Sequence, residues 1–135
     1  MKTEGAQRLC GALATENGKI CGLALILLLL STASLADDVR IVEVRVECPG
    51  SCTFAVTLEH ADQGWDHYAN QWDVMTLDDK LLGSRVLHHP HENEQPFTRS
   101  LSGVTVPPGV SQVKIRAKDS VHGYSQQEFV VDIPG

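Results

Sequence analysis

Apolar and polar side chains alternate along most of residues 39–133, in seven short runs separated by polar or Gly- and Pro-containing segments. A period of two residues is typical of β-strands with one buried face. The pattern changes phase near Ile41 and Val42, and Gly83 within the fourth run indicates a bulge or a close contact. The predicted strands cover residues 39–48, 53–59, 71–77, 81–87, 97–101, 110–117 and 128–133.

Seven short strands with turn signals at intervals of roughly 8 to 15 residues predict an all-β, two-sheet antiparallel sandwich, with a small barrel as the alternative. Residues 37–135 suffice for one domain with a single modest core. The strand layout resembles fibronectin type III and immunoglobulin-like domains, because Trp72 falls on the third strand and residues 112–117 resemble the penultimate strand of such modules. The inter-sheet disulfide and the corner tyrosine of antibody domains are absent from the pattern. Trp72 is expected in the core.

The first 36 residues are predicted to be a signal peptide. Lys2, Arg8 and Lys19 precede an apolar run over residues 20–30, and small residues up to Ala36 offer a cleavage site. The run has about 11 residues, whereas a spanning helix needs about 20, although a retained anchor reaching residue 36 is the alternative. Cys21 lies at the start of the run and no cysteine follows at its end, which argues against a lipid-anchored cysteine. The domain at residues 37–135 is therefore expected to be exported, periplasmic or secreted, without inserting into a membrane.

Cys48 and Cys52 flank a Pro-Gly-Ser turn between the first two predicted strands. Because exported proteins meet an oxidising compartment, these cysteines are expected to form a disulfide across a hairpin. A Cys-x3-Cys copper or redox site is the alternative, and it is less favoured because the histidines lie elsewhere in the predicted fold.

The net charge is −6, and the basic residues are spread singly along the chain. Nucleic acid is excluded as an expected partner, since phosphate binding requires a clustered basic face. The sequence also contains no nucleophile elbow, phosphate-binding Gly loop or cofactor fingerprint. No enzyme activity is therefore predicted.

Histidines are the most informative polar residues of this sequence. In a sandwich of this strand order, successive connections alternate between the two ends, so the second-to-third, fourth-to-fifth and sixth-to-seventh connections share one end. These connections contain all six histidines, His60, His67, His88, His89, His91 and His122. The cysteines are expected at the opposite end, which makes a combined Cys-His site unfavourable.

A tetrahedral or tetragonal copper or zinc site needs three or four ligands from different segments, and three loops meeting at one end can supply them. The predicted metal ligands are His67, His89, His91 and His122. His89 and His91 project to one side if their segment is extended. Acidic residues that could add ligands or orient the imidazoles are Asp66, Glu92, Glu94 and Asp119.

Three further side chains are expected near this cluster. Trp65 and Tyr124 are predicted to cover the polar residues as lids, with Trp65 as an alternative exposed contact for a partner. Arg99 is expected to pair with an acidic neighbour, for which Glu92, Glu94 and Asp119 are the candidates.

Three segments resemble those of a family of small exported bacterial proteins. They are Gly-Trp-Asp-His-Tyr at residues 64–68, His-Pro-His-Glu-Asn-Glu-Gln-Pro-Phe-Thr-Arg at 89–99 and Asp-Ser-Val-His-Gly-Tyr at 119–124. The resemblance implies export and an immunoglobulin-like sandwich, and it implies no established activity.

The expected function is ligand binding at the His-rich end of an exported β-sandwich, with copper or zinc as the first choice. The alternative is a non-catalytic structural or interaction module of the cell envelope, in which the histidines and carboxylates only hold the loops. The partner is then an envelope protein or a small ligand that the sequence does not specify.

Overall fold

The computed structural model describes residues 38–135, which form β-strands and one short 3-10 turn, Gly64–Asp66, without an α-helix in that range. The predicted signal peptide at residues 1–36 lies outside the described residues. Among the described residues, no helix has the length and apolarity needed to cross a bilayer. The strands are β1 Arg40–Glu47, β2 Cys52–Glu59, β3 Ala69–Thr76, β4 Leu81–Val86, β5 Phe97–Val104, β6 Gln112–Asp119, β7 Gly123–Tyr124 and β8 Phe129–Asp132.

The strands form two antiparallel sheets, consistent with the predicted β-sandwich. One sheet has the order β1-β2-β5, and the other has the order β4-β3-β6-β7, with β8 also paired to β6. Each of the seven predicted strands overlaps a strand of the structure. The structure adds β7 as an eighth strand, and its two residues are too few to show alternation.

The core lies between the sheets and takes every second residue of the central strands. On β2, Phe54, Val56 and Leu58 are fully buried, whereas the residues between them are partly exposed. Trp72 is fully buried on β3, as predicted. The indole Nε1 of Trp72 has no hydrogen-bond partner among the described residues, so its burial rests on packing.

Two irregularities of the sequence pattern have structural counterparts. The register of β1 against β2 shifts between Ile41 and Glu43, where the alternation changes phase. At Gly83 on β4, an added Cβ would lie 3.0 Å from Cδ2 of Leu101 and 3.3 Å from Cγ2 of Val104. Gly83 therefore allows the edge strand to approach β5 closely.

The hairpin of β1 and β2 is closed by a disulfide between Cys48 and Cys52, whose Cα atoms are 4.1 Å apart. This confirms the predicted pairing. Cys48 follows β1 and Cys52 begins β2, so the bridge lies at the opposite end of β2 from His60.

Candidate functional site

Three connections meet at the end of the sandwich where β2 and β6 finish, as the alternation of connections predicts. They are the β2–β3, β4–β5 and β6–β7 connections, and we call this end the apex. The amide of Ser120 donates to the carbonyl of Tyr68 over 2.9 Å, and the amide of His91 donates to Asp62 over 2.7 Å. The β2–β3 connection thus binds to both other connections.

His60, His67 and Asp119 form a group that could hold a metal ion. Each offers one ligand atom, and the three atoms lie within 4.8 Å of one another. His60 directly follows β2, His67 precedes β3 and Asp119 is the last residue of β6. The ends of three strands therefore position the three side chains, and all three are largely buried.

His122 lies next to this group. Its ring centre is 4.9 Å from that of His67, which is 4.8 Å from that of His60. Two imidazoles bound to one tetrahedral zinc ion at about 2.0–2.1 Å have ring centres about 5 Å apart. The spacing of His67 from each of the other two rings is therefore suitable for a shared metal ion. The side chains must turn to direct nitrogen lone pairs at one point.

Asp119 combines a structural role with an uncompensated oxygen. Its Oδ1 accepts hydrogen bonds from the amides of Val121 and His122, at 2.8 and 2.7 Å. Its Oδ2 is buried without a hydrogen-bond partner within residues 38–135. Burial raises the pKa of this carboxyl, but the two amide hydrogen bonds and the nearby His122 and His67 outweigh burial, so the pKa lies below its ordinary value.

His67 is also incompletely paired. Its Nε2 is 3.2 Å from Oδ1 of Asp119, yet this contact lacks hydrogen-bond geometry, and Nε2 is buried without a partner in the described chain. Two buried polar atoms at one site, one nitrogen and one oxygen, therefore lack partners.

Asp62 connects the group to the β4–β5 connection. Oδ1 of Asp62 lies 2.6 Å from Nδ1 of His60 and accepts the amide hydrogen of Ala69 over 3.0 Å, while Oδ2 accepts that of His91. If Nδ1 of His60 donates its hydrogen to Asp62, the lone pair of the neutral ring is on Nε2. Asp62 was not predicted as a site residue, and only its spacing of two from His60 could have indicated it.

Gln95 makes the second tie between these connections. Its side-chain oxygen accepts the His60 amide hydrogen over 3.0 Å, and its side-chain nitrogen donates to the carbonyl of His91 over 2.9 Å. His91 is buried, and its ring stacks on Phe97 with centres 4.0 Å apart. Burial lowers the pKa of His91, and the positive charges of Arg99 and His89 lower it further.

The predicted four-histidine set divides into two pairs. His67 and His122 are neighbours, and His89 and His91 are neighbours with ring centres 4.6 Å apart. His89 and His91 do not belong to the three-residue group described above. His60 was expected at this end but not among the metal ligands. It belongs to the three-residue group with His67 and Asp119.

The predicted acidic residues have different environments. Glu94 pairs with Arg99, and Nη2 of Arg99 lies 3.0 Å from Oε2 of Glu94. Glu94 was one of the three predicted candidates for this pair. Both partners are partly exposed, so the pair is not the buried one considered from the sequence. Asp66 and Glu92 are exposed, and only Asp119 contacts the histidine group directly.

Trp65 and Tyr124, the two expected lids, have contacts with residues outside the histidine group. Trp65 is 68% exposed and its ring packs edge-on against Tyr68. Tyr124 donates its hydroxyl hydrogen to Asp73 on β3. That hydrogen bond, with burial and the Asp73 charge, raises the pKa of Tyr124 to about 12. Alternation could not show that Tyr124 lies on β7, beside polar residues of the sheet.

No family model matches the chain, and no solved structure matches it. A protein of Halomicrobium mukohataei with the name "Putative lipoprotein" is 42% identical over 97 residues, which are 70% of this chain and 47% of the relative. The chain thus spans about half the length of this curated relative. The relative's name states a lipoprotein and no activity, which agrees with the expected resemblance to exported proteins without an established activity.

Proposed function

We propose that the apex binds one divalent transition-metal ion, copper or zinc, through His60, His67 and Asp119, with His122 as a fourth ligand. The observation that supports this most strongly is the pair of buried atoms without hydrogen-bond partners, Nε2 of His67 and Oδ2 of Asp119. Leaving a buried polar atom unpaired costs about 1–3 kcal/mol, and an unpaired carboxylate oxygen costs more. A bound cation would compensate both atoms.

The donor set suits a borderline transition metal better than calcium or magnesium. Imidazole nitrogens bind zinc and copper, whereas calcium and magnesium prefer oxygen ligands alone. Asp62 holds His60 by its Nδ1, an arrangement that orients metal-binding histidines and makes them more basic. The ligand atoms, now up to 4.8 Å apart, would approach to about 3.4 Å around a tetrahedral zinc ion.

A structural or interaction module is the second candidate, and a separate observation favours it. The carboxylates of Asp62 and Asp119 accept hydrogen bonds from four backbone amides at the apex. Such bonds hold connections in place without any ligand. In this alternative the histidines complete a loop-stabilising network, and the apex presents Trp65 to an envelope partner.

The proposal places the domain outside the cytoplasm, in the cell envelope or secreted. The predicted signal segment, the disulfide and the lipoprotein name of the relative support this location. We also assign the sandwich to the immunoglobulin or fibronectin type III type. Support comes from the first, second and fifth strands sharing one sheet while the third and sixth are neighbours in the other.

Titration of the purified protein, without a histidine tag, by zinc and then copper tests the proposal. Wild-type protein is expected to bind one equivalent at the group of His60, His67 and Asp119 more tightly than ~10 μM, which corresponds to about 7 kcal/mol. His67→Ala and Asp119→Asn should each weaken this binding at least tenfold. His88→Ala is the matched control, because His88 is exposed and lies outside the group.

If His67→Ala and Asp119→Asn each bind zinc and copper as tightly as the wild-type protein does, the metal proposal is contradicted. Loss of thermal stability without loss of metal binding in Asp119→Asn would favour the loop-holding alternative. Asp119 therefore separates the two candidates, since it serves the backbone through Oδ1 and the proposed ion through Oδ2.

A further inference from the structure

A second polar cleft lies in the β4–β5 connection and is lined by residues 89–94. It is distinct from the proposed ion site, because neither His89 nor His91 belongs to the group of His60, His67 and Asp119. The cleft contains two imidazoles and two carboxylates within six residues of chain. A ligand of this cleft would be independent of the ion proposed for the group of His60, His67 and Asp119.

The ring of His91 is an uncompensated polar group in this cleft. The residue is 5% exposed, and neither Nδ1 nor Nε2 has a hydrogen-bond partner in the described part of the chain. A neutral imidazole has one donor and one acceptor nitrogen, so both functions are buried unpaired. Such a ring is costly unless a ligand reaches one nitrogen.

The position of the His91 ring is fixed by its surroundings. One face stacks on Phe97 with the planes 10° apart. The backbone of His91 is held on both sides, since its amide donates to Asp62 and its carbonyl accepts from Gln95. The ring is therefore preorganised, and little side-chain entropy remains to be lost on binding.

His89 supplies a second imidazole beside His91. Its ring centre lies 4.6 Å from that of His91, with 38° between the planes. Two imidazoles bound to one ion at right angles, each at about 2.0–2.1 Å, have ring centres about 4.5 Å apart. Nδ1 of His89 is 3.1 Å from the carbonyl oxygen of Pro90, and donation there leaves the lone pair on Nε2.

Glu94 provides a nearby negative charge. Glu94 lines the cleft with both histidines. Its carboxylate is bonded to Arg99, with Nη2 3.0 Å from Oε2 and Nη1 3.5 Å from Oε1. Arg99 compensates Glu94, and Glu92 adds a further negative charge to the lining. That charge and the imidazole nitrogens favour a cation over an anion.

We propose that His89 and His91 form a second transition-metal site, separate from the group of His60, His67 and Asp119. Copper(II) is the preferred ion, because it binds imidazole more strongly than the other divalent first-row metals and accepts ligands at right angles. The chain then binds two ions at its apex, on either side of Asp62.

Calorimetric titration of the tag-free protein with Cu²⁺ at pH 7 tests this proposal. Wild type is expected to bind two equivalents. His91→Phe keeps a ring to stack on Phe97 but removes both nitrogens, and it should weaken one equivalent at least tenfold while the other is unchanged. His89→Ala should have the same effect without a folding cost, because His89 is exposed. The neighbouring His88→Ala is the control and should bind two equivalents like wild type.

The two metal proposals fail in different ways. If His89→Ala and His91→Phe both bind two equivalents with wild-type affinity, the second site is refuted. A single wild-type equivalent that disappears only in His67→Ala also refutes it and leaves the first proposal standing. If His67→Ala keeps all its copper while His89→Ala loses it, the first proposal fails and the second stands. Should His91→Phe not fold, His89→Ala decides.

Discussion

Replacing Asp62 by alanine should destabilise the domain far more than its loop position suggests. The Asp62 side chain is fully buried, and it has hydrogen-bonding partners in His60, Ala69 and His91, at 2.6, 3.0 and 2.7 Å. Hydrogen bonds to a charged group contribute about 1.5–3 kcal/mol each, and their loss leaves two buried amides unpaired. Because water can enter the space and the three terms are not additive, we expect a loss of about 3–5 kcal/mol.

That loss is a large part of the 5–15 kcal/mol by which domains of this size are usually stable. Equilibrium unfolding in urea measures it, with the m-value as a check that the folded state is retained. Asp62→Asn should cost less than Asp62→Ala. The side-chain oxygen of Asn can still accept hydrogen bonds from His60 and Ala69, and only the bond from the His91 amide is replaced by two donors that face each other. Asp66→Ala is the matched control, since Asp66 is an exposed carboxylate in the same connection. A cost for Asp62→Ala below about 1 kcal/mol, or equal to that of Asp66→Ala, would refute this account of the apex.

Two other changes test the packing and the electrostatics. Gly83→Ala should lower the free energy of unfolding by about 1–2 kcal/mol in thermal melts, because its Cβ would meet Leu101 at 3.0 Å, whereas Gly50→Ala, with no atom within 4 Å, should cost little. Equal melting temperatures would contradict this. Burial, aided by Arg99, lowers the pKa of His91 from 6.5 in the folded protein. The folded state therefore resists protonation of His91. The contribution of His91 to the free energy of unfolding is present above pH 6.5 and is lost as the pH falls through its lower pKa in the folded state. His91→Phe should flatten that part of the stability profile, and an unchanged slope would contradict the cause.

The strands were predictable because each central strand directs its apolar side chains to one face. Alternation over residues 53–59 predicts a strand whose inward side chains are Phe54, Val56 and Leu58, and the structure buries these three fully. The phase change near Ile41 coincides with the register shift between Ile41 and Glu43. β7 could not be found in this way, since its two residues pair with β6 through backbone contacts that no side-chain pattern reports.

The location of the histidines was predictable, but their grouping was not. Strand order determines which connections share an end, so all three histidine-containing connections were expected at the apex. Which rings meet depends on loop conformation, and Asp62 and Gln95 fix that conformation through backbone hydrogen bonds. An Asp or Gln in a polar loop has no sequence pattern that reveals such a role. The hydrogen bond of Tyr124 to Asp73 could not be predicted for a similar reason.

Anomalous diffraction from crystals grown with one equivalent of zinc tests the central claim most directly. We expect a peak at the zinc absorption edge with ring nitrogens of His60 and His67 and a carboxylate oxygen of Asp119 about 2.0–2.2 Å from it. Crystals of His67→Ala, grown in the same way, should lose the peak. A wild-type map without zinc between these three side chains, with their atoms still bonded only to the loops, would contradict metal binding at this group and leave the apex as a loop-holding network.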